Sequence, residues 1–276
     1  MNFIDFEYDG HYLSDYEFIV CDFDYSSGIA VVGAGSQITF DKVTRNRGKK
    51  YSLVNSTYDE CITATFDICK NPEIYTTDKE MVITNDEYRD LMRWLNRRDF
   101  NPFRLIPDDC DSDVERETCY YNASFNIEKI MYADELIGLR LTMESDKPFG
   151  YGQEVSATWT FTSANTFKII ADQSDEIGYT YPDLVITVQS DGDLTIHNEL
   201  LDRSMVIKNC TYGEVITISG YEQMISTSIS SHNVMNDFNF EFLRIGNTLE
   251  ERNNKITSSL PCKMIISYKP IIKDAP

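Results

Sequence analysis

The sequence predicts a mainly β protein in two parts: an N-terminal β-barrel or sandwich-like domain with one α-helix, then a C-terminal β-sandwich or jelly roll. Three observations carry this. Apolar and polar residues alternate with period two along most of the chain, as in half-buried antiparallel strands. Seventeen Tyr and fifteen Phe supply rings that suit pleated surfaces. A single stretch breaks into a clear helical period. The 276 residues are enough for two ordinary cores.

The clearest early strand is Cys61 to Cys69. Ile62, Ala64, Phe66 and Ile68 share one face, while Thr63, Thr65 and Asp67 share the other. The helix is expected from Asn85 to Arg98. Thr84 and Glu87 have capping-box spacing, and Tyr88, Leu91, Met92 and Leu95 recur at i, i+3, i+4 and i+7. Trp94 widens that stripe, which reads as a packing face over a sheet. Asp86 and Glu87 suit the positive end of the helix dipole, and Arg97 and Arg98 suit the negative end. Asn101-Pro102 stops the helix. Ala123, Phe125 and Ile127 then alternate with polar residues, as do Ile137, Leu139, Leu141 and Met143.

The stretch from Asp146 to Gly152 holds Pro148 and two glycines, and the domain boundary is placed there, giving 1–150 and 151–276. Beyond it, Trp159 and Phe161 alternate with Thr158, Thr160 and Thr162, which would turn Trp159 inward. Leu184–Val188 and Leu194–Asn198 flank Asp191-Gly192, a hairpin signal. Further strands are expected at Ile216–Ile218, Phe238–Phe242 and Met264–Tyr268. Short strands at this spacing suit a sandwich or jelly roll.

Charge narrows the function. The net charge of −20 repels polyphosphate and anionic membranes, so sequence-specific nucleic acid and membrane insertion are not expected as partners. The N-terminus has no basic start and no apolar stretch, and reads as cytosolic rather than secreted. Seven irregularly spaced cysteines do not form a disulfide framework. Cys61 and Cys69 would lie about 26 Å apart on one strand, too far to pair. Cys110 and Cys119 could pair if the loop between them closes.

Signals for catalysis are weak. His11, His197 and His232 have no metal-ligand spacing, so no metal is expected. Gly33-Ala34-Gly35 lacks the helix and lysine of a phosphate loop. Asp109, Asp111 and Asp113 open like a calcium loop, but Val114 and Tyr120 occupy its diagnostic positions. The reading is no enzyme and no cofactor. The stronger pattern is two charge blocks. Lys42, Arg45, Arg47, Lys49 and Lys50 put five positive charges in nine residues, and Asp108, Asp109, Asp111, Asp113, Glu115 and Glu117 oppose them. Arg45, Arg47, Lys49, Lys50, Asp108, Asp109, Asp111 and Asp113 are the candidate oligomer interface, in which the basic loop meets an acidic surface of a neighbouring copy.

The order of these pieces resembles the distal tail protein (Dit) family of long-tailed bacteriophages and prophages. The residues that carry the resemblance are Phe6–Tyr16, Asn46–Tyr51 followed by Ile62–Cys69, Ile83–Leu95, and Ile127–Tyr151. More weakly, Ser190–Asn198 and Ile265–Pro270 extend it. It spans nearly the whole chain and is better over the first 150 residues. The resemblance implies an N-terminal domain set in a six-fold homohexameric ring and a C-terminal galectin-like β-sandwich. It implies a tail-tip connector joining the tail tube protein to the tail-tip hub and to receptor-binding or baseplate proteins. It also implies a place in the virion tail tip, after assembly in the bacterial host cytoplasm. It offers no catalytic residues to carry over. The rival reading is a free carbohydrate-binding β-sandwich, which would need an exposed aromatic platform such as Trp159.

Overall fold

A computed structural model describes residues 3–23, 38–45, 50–58, 61–107, 119–163 and 166–273. The chain forms two compact units, Met1–Tyr151 with Ile272–Pro276, and Gly152–Ile271.

The first unit opens with β1 (Phe3–Tyr8), β2 (His11–Tyr12) and β3 (Phe18–Cys21). A two-stranded arm follows, β4 (Ile38–Arg45) and β5 (Lys50–Tyr58), and then β6 (Thr63–Lys70). Two helices come next, α1 (Asp78–Met81) and α2 (Asn85–Leu95), before β7 (Asn101–Pro107), β8 (Tyr121–Tyr132), β9 (Glu135–Ser145) and the short β10 (Gly150–Tyr151). Seven strands make one antiparallel sheet in the order β2-β1-β7-β8-β9-β6-β3. Its core is aromatic. Phe6 touches Phe66, Phe103 and Phe125, and stacks on Trp94 at 5.6 Å. Such ring pairs add specific geometry to the area they bury.

Helix α2 forms where the capping box predicts. The Thr84 hydroxyl accepts from the Glu87 amide, and Glu87 returns to the Thr84 amide at 2.7 Å. Leu91, Trp94 and Leu95 are buried against the sheet, and the Trp94 indole donates to the Tyr8 carbonyl at 3.1 Å. The helix ends at Leu95, earlier than expected. Arg97 lies beyond it and pairs with Asp9 at 2.6 Å, because a specific carboxylate outcompetes the diffuse field of the helix end. Strand β6 begins at Thr63, so Cys61 precedes it. Its polar face is wet at Thr63 and Thr65 but dry at Asp67, where Arg140 of β9 makes a two-pronged contact at 2.8 and 2.9 Å.

The second unit is a sandwich. Its strands are β11 (Val155–Phe161), β12 (Phe167–Ala171), β13 (Gly178–Thr180), β14 (Asp183–Val188), β15 (Gly192–Asn198) and β16 (Arg203–Cys210). They continue with β17 (Val215–Ser219), β18 (Met224–Thr227), the one-turn α3 (Val234–Asp237), β19 (Ile245–Asn247), β20 (Asn253–Ser258) and β21 (Cys262–Tyr268). One sheet runs β11-β21-β14-β17-β18 and the other β12-β20-β15-β16. Their inner faces share one core. Phe161, Leu184, Ile186, Ile216, Ile218, Met264 and Ile266 come from the first, and Ile170, Leu194, Ile196, Met205, Ile207 and Ile256 from the second.

Two expectations fail here. Asp191-Gly192 does not close a hairpin: β14 pairs with β17 and β21, while β15 pairs with β16 and β20. Gly192, at φ 140°, instead carries the chain from one sheet to the other. The segment Phe238–Phe242 is no strand. Phe240 sits at φ 56° and is exposed, while Phe238 and Phe242 meet edge to face at 4.9 Å in the core.

Candidate interaction surface

Among the described strands, β4 and β5 pair with each other. The Ile, Val and Thr residues of this arm favour extended backbone. The register runs Ile38 to Tyr58, Thr39 to Thr57, Phe40 to Ser56 and Asp41 to Asn55. A bulge then shifts it, so that Lys42 faces Leu53 and Val43 faces Ser52. Successive side chains alternate, so Ile38, Phe40, Lys42, Leu53, Ser56 and Tyr58 share one face. Thr39, Asp41, Val43, Ser52, Asn55 and Thr57 share the other. The Lys42 ammonium lies 5.5 Å from the Phe40 ring centre, in keeping with that assignment. The first face is largely apolar and the second mostly polar. Yet Phe40 and Leu53 are 49% and 59% exposed, and Ile38, Val43 and Val54 are exposed too. At its base, Tyr58 meets Phe149 edge to face at 5.7 Å, which anchors the arm on its own unit.

The charged candidates from the sequence distribute unevenly. Lys42 and Arg45 lie on β4 and Lys50 opens β5, so the expected basic loop is largely a hairpin end. Arg47 and Lys49 lie outside the described residues, as do Cys110 and Asp108, Asp109, Asp111 and Asp113. The Gly33–Gly35 stretch lies outside them as well.

Other polar clusters are structural in their chemistry. Among the described residues, no group of three or more His, Cys, Asp or Glu is placed to hold a metal. Glu214, fully buried, accepts from the Thr227 hydroxyl, from the Thr211 amide at 3.0 Å and from His232 Nδ1 at 2.6 Å. Burial pushes its carboxyl up, but the bonds from Thr227 and His232 outweigh that and hold it below the usual range. The other His232 nitrogen lies 3.4 Å from Asp237. The cluster resembles a relay at first sight. A nucleophile must bond to the histidine, however, and Thr227 donates to the carboxylate instead. His197 bonds the Ser204 hydroxyl at 2.9 Å on the neighbouring strand, and His11 is exposed on β2. The thiols of Cys21 and Cys69 share a hydrogen bond between β3 and β6, which raises Cys21 and lowers Cys69.

Lys70 is another buried charge. Its ammonium meets Glu87 at 2.8 Å and the Glu80 carbonyl at 3.1 Å, joining both helices to β6. Burial raises the Glu87 carboxyl, and the bonds from Lys70 and Thr84 more than reverse it. In the second unit, a cavity of about 390 Å³ is lined by Tyr179, Arg203, Glu241 and Arg244, among others. Arg244 lies 4.0 Å over the Tyr179 ring and donates to the Tyr181 hydroxyl at 2.9 and 2.6 Å. Arg203 pairs with Glu241. Trp159 is 8% exposed and packs in the sandwich core, so it offers no platform for a sugar.

The arm and the sandwich thus define a β-rich protein of structural class, with an exposed amphipathic element on one unit and a β-sandwich as the second. Family comparison agrees with that class. Residues 1–147 match the model described as phage tail protein N-terminal domain, and residues 149–268 match phage tail C-terminal domain. The chain belongs to this phage tail protein family. Among solved structures it is similar to the SPP1 Dit (gp 19.1) protein, titled a paradigm of hub adsorption apparatus in Gram-positive infecting phages. The two share 13% identity and a TM-score of 0.64, over 97% of this chain and 99% of that one. The fold is therefore the distal-tail fold that the sequence resemblance implies. No curated protein matches the chain.

Proposed function

We propose that this chain is the structural connector of a phage tail tip. Copies of its first unit form a ring that continues the tail tube. The second unit carries the attachment surface for the tail-tip hub and for receptor-binding or baseplate proteins. The chain works by joining proteins rather than by catalysis, within a virion assembled in the host cytoplasm. One observation carries the reading: both family domains occur in tail order on a chain whose fold follows Dit over almost its full length. The amphipathic arm supports it, since a ring needs each copy to present unlike surfaces to its two neighbours. An acidic wall also suits a channel that DNA must cross without sticking. Light scattering on a sizing column, followed by negative-stain imaging, tests the ring. Closed rings with an open centre are expected. A largest species that is a compact dimer would overturn the ring.

A further inference from the structure

We propose that Cys21 and Cys69 are a reversible redox pair, two thiols while the chain is made and assembled and a disulfide that pins the edge of the first sheet once a small oxidising disulfide reaches them. The oxidising setting rests on the connector reading, since a released particle leaves the reducing cytoplasm of its host. The pairing rests on the fold.

Strand register brings the two thiols together. β3 is an edge strand of the seven-stranded sheet and pairs with β6, with Ile19 opposite Cys69 and Cys21 opposite Asp67. Directly opposed residues share a face, so Cys21 and Cys69 are diagonal neighbours on the face that carries Asp67. Val20 and Ile68 take the other face, against the aromatic core. The two thiols already share a hydrogen bond. A flat diagonal sets Cα atoms about 7–8 Å apart, slightly more than a disulfide usually spans. The remaining movement falls on β3, a four-residue edge strand that ends at Cys21. Cys21 is half-buried and gives a small oxidant access, while Cys69 is buried.

The chemistry is thiol–disulfide exchange with a low-molecular-weight disulfide such as oxidised glutathione. Once the pair has lost one proton to water, the proton it keeps moves to Cys69 and leaves Cys21 as the thiolate. Cys21 attacks one glutathione sulfur, the glutathione S–S bond breaks, and the first glutathione leaves. Cys69 then gives up its proton and attacks the Cys21 sulfur, and the second glutathione leaves. One S–S bond forms and one breaks. The two cysteines lose two electrons and two protons, and two glutathione thiols gain them. The new bond ties residue 21 to residue 69 and closes the chain between them, the β4–β5 arm included, into a loop. Such a link constrains the unfolded chain and so stabilises the folded one.

The test treats the reduced full-length chain with oxidised glutathione, blocks the remaining thiols with N-ethylmaleimide and maps the links by tandem mass spectrometry without reduction. Fragmentation separates Cys69 from Cys61, which share one tryptic peptide. A Cys21–Cys69 link is expected in the folded protein. Its yield should be at least about tenfold higher than for the same oxidation in urea, where the fold no longer holds the thiols side by side. Reduced glutathione should return both thiols. Cys69→Ala should stop with glutathione on Cys21, whereas the wild type should keep none there. Cys21→Ser alters the more accessible member and should leave Cys69 unlinked. The linked wild type should melt about 5 °C or more above the reduced form. Free thiols at both positions, glutathione retained on wild-type Cys21, another partner for either cysteine, equal yield in urea, or a linked form that melts no higher each overturns the inference. None of these results moves the chain out of the tail, which is tested separately by its position in the particle.

Discussion

Three of the buried charges make local contacts that the sequence does not show. Asp67, Lys70 and Glu214 all sit where a period-two or loop reading puts them in water. Alternation reports which face a residue is on, not whether a distant partner covers that face. Asp67 finds Arg140 after 73 residues, and Glu214 finds His232 after 18. The aromatic core, by contrast, was visible, because Phe66, Phe125 and Trp94 lie on apolar stripes that need no partner to be recognised. The Asp67 contact is two-pronged and charge-assisted, with Arg140 about a third exposed. Asp67→Ala should cost about 2 kcal/mol in urea unfolding, since it leaves a half-buried guanidinium without its carboxylate. Asp67→Asn should cost less, because it keeps the shape and one acceptor.

Elements were legible in proportion to how local their cause is. The start of α2 is written in four consecutive residues, Thr84 to Glu87, and the structure shows the box closed at both ends. Thr84→Ala removes the hydroxyl that accepts from Glu87 and should cost about 1 kcal/mol, read as a lower thermal midpoint. The end of the same helix was misplaced by three residues, because Arg97 answers to Asp9 on the far side of the unit. The turn at Asp191-Gly192 shows the same limit. Its local chemistry is right for a reversal of the chain, but which strands pair is decided by inter-sheet packing. The charges of Lys42, Arg45, Arg47, Lys49 and Lys50 give this stretch of sequence the look of a basic loop. Its strand character lies in the Ile, Val and Thr residues that accompany them.

For the whole molecule, composition and order said more than any motif. A net charge of −20, many rings and a run of short strands bounded the class. The order of the helix, the Gly-rich boundary and the second set of strands carried the resemblance, and the phage tail family and the distal-tail fold follow it. The proposed interface is not legible to the same depth, because an interface depends on a surface that another molecule supplies. Arg45 and Lys50 lie on the arm, whereas the acidic run from Asp108 falls outside the described residues. The connector account makes its sharpest claim about position. Immunogold labelling of intact particles with antibody to this chain tests it directly. The account predicts label confined to the tail end farthest from the head. Label on the capsid or along the tail tube, or particles that lack the chain, would contradict it.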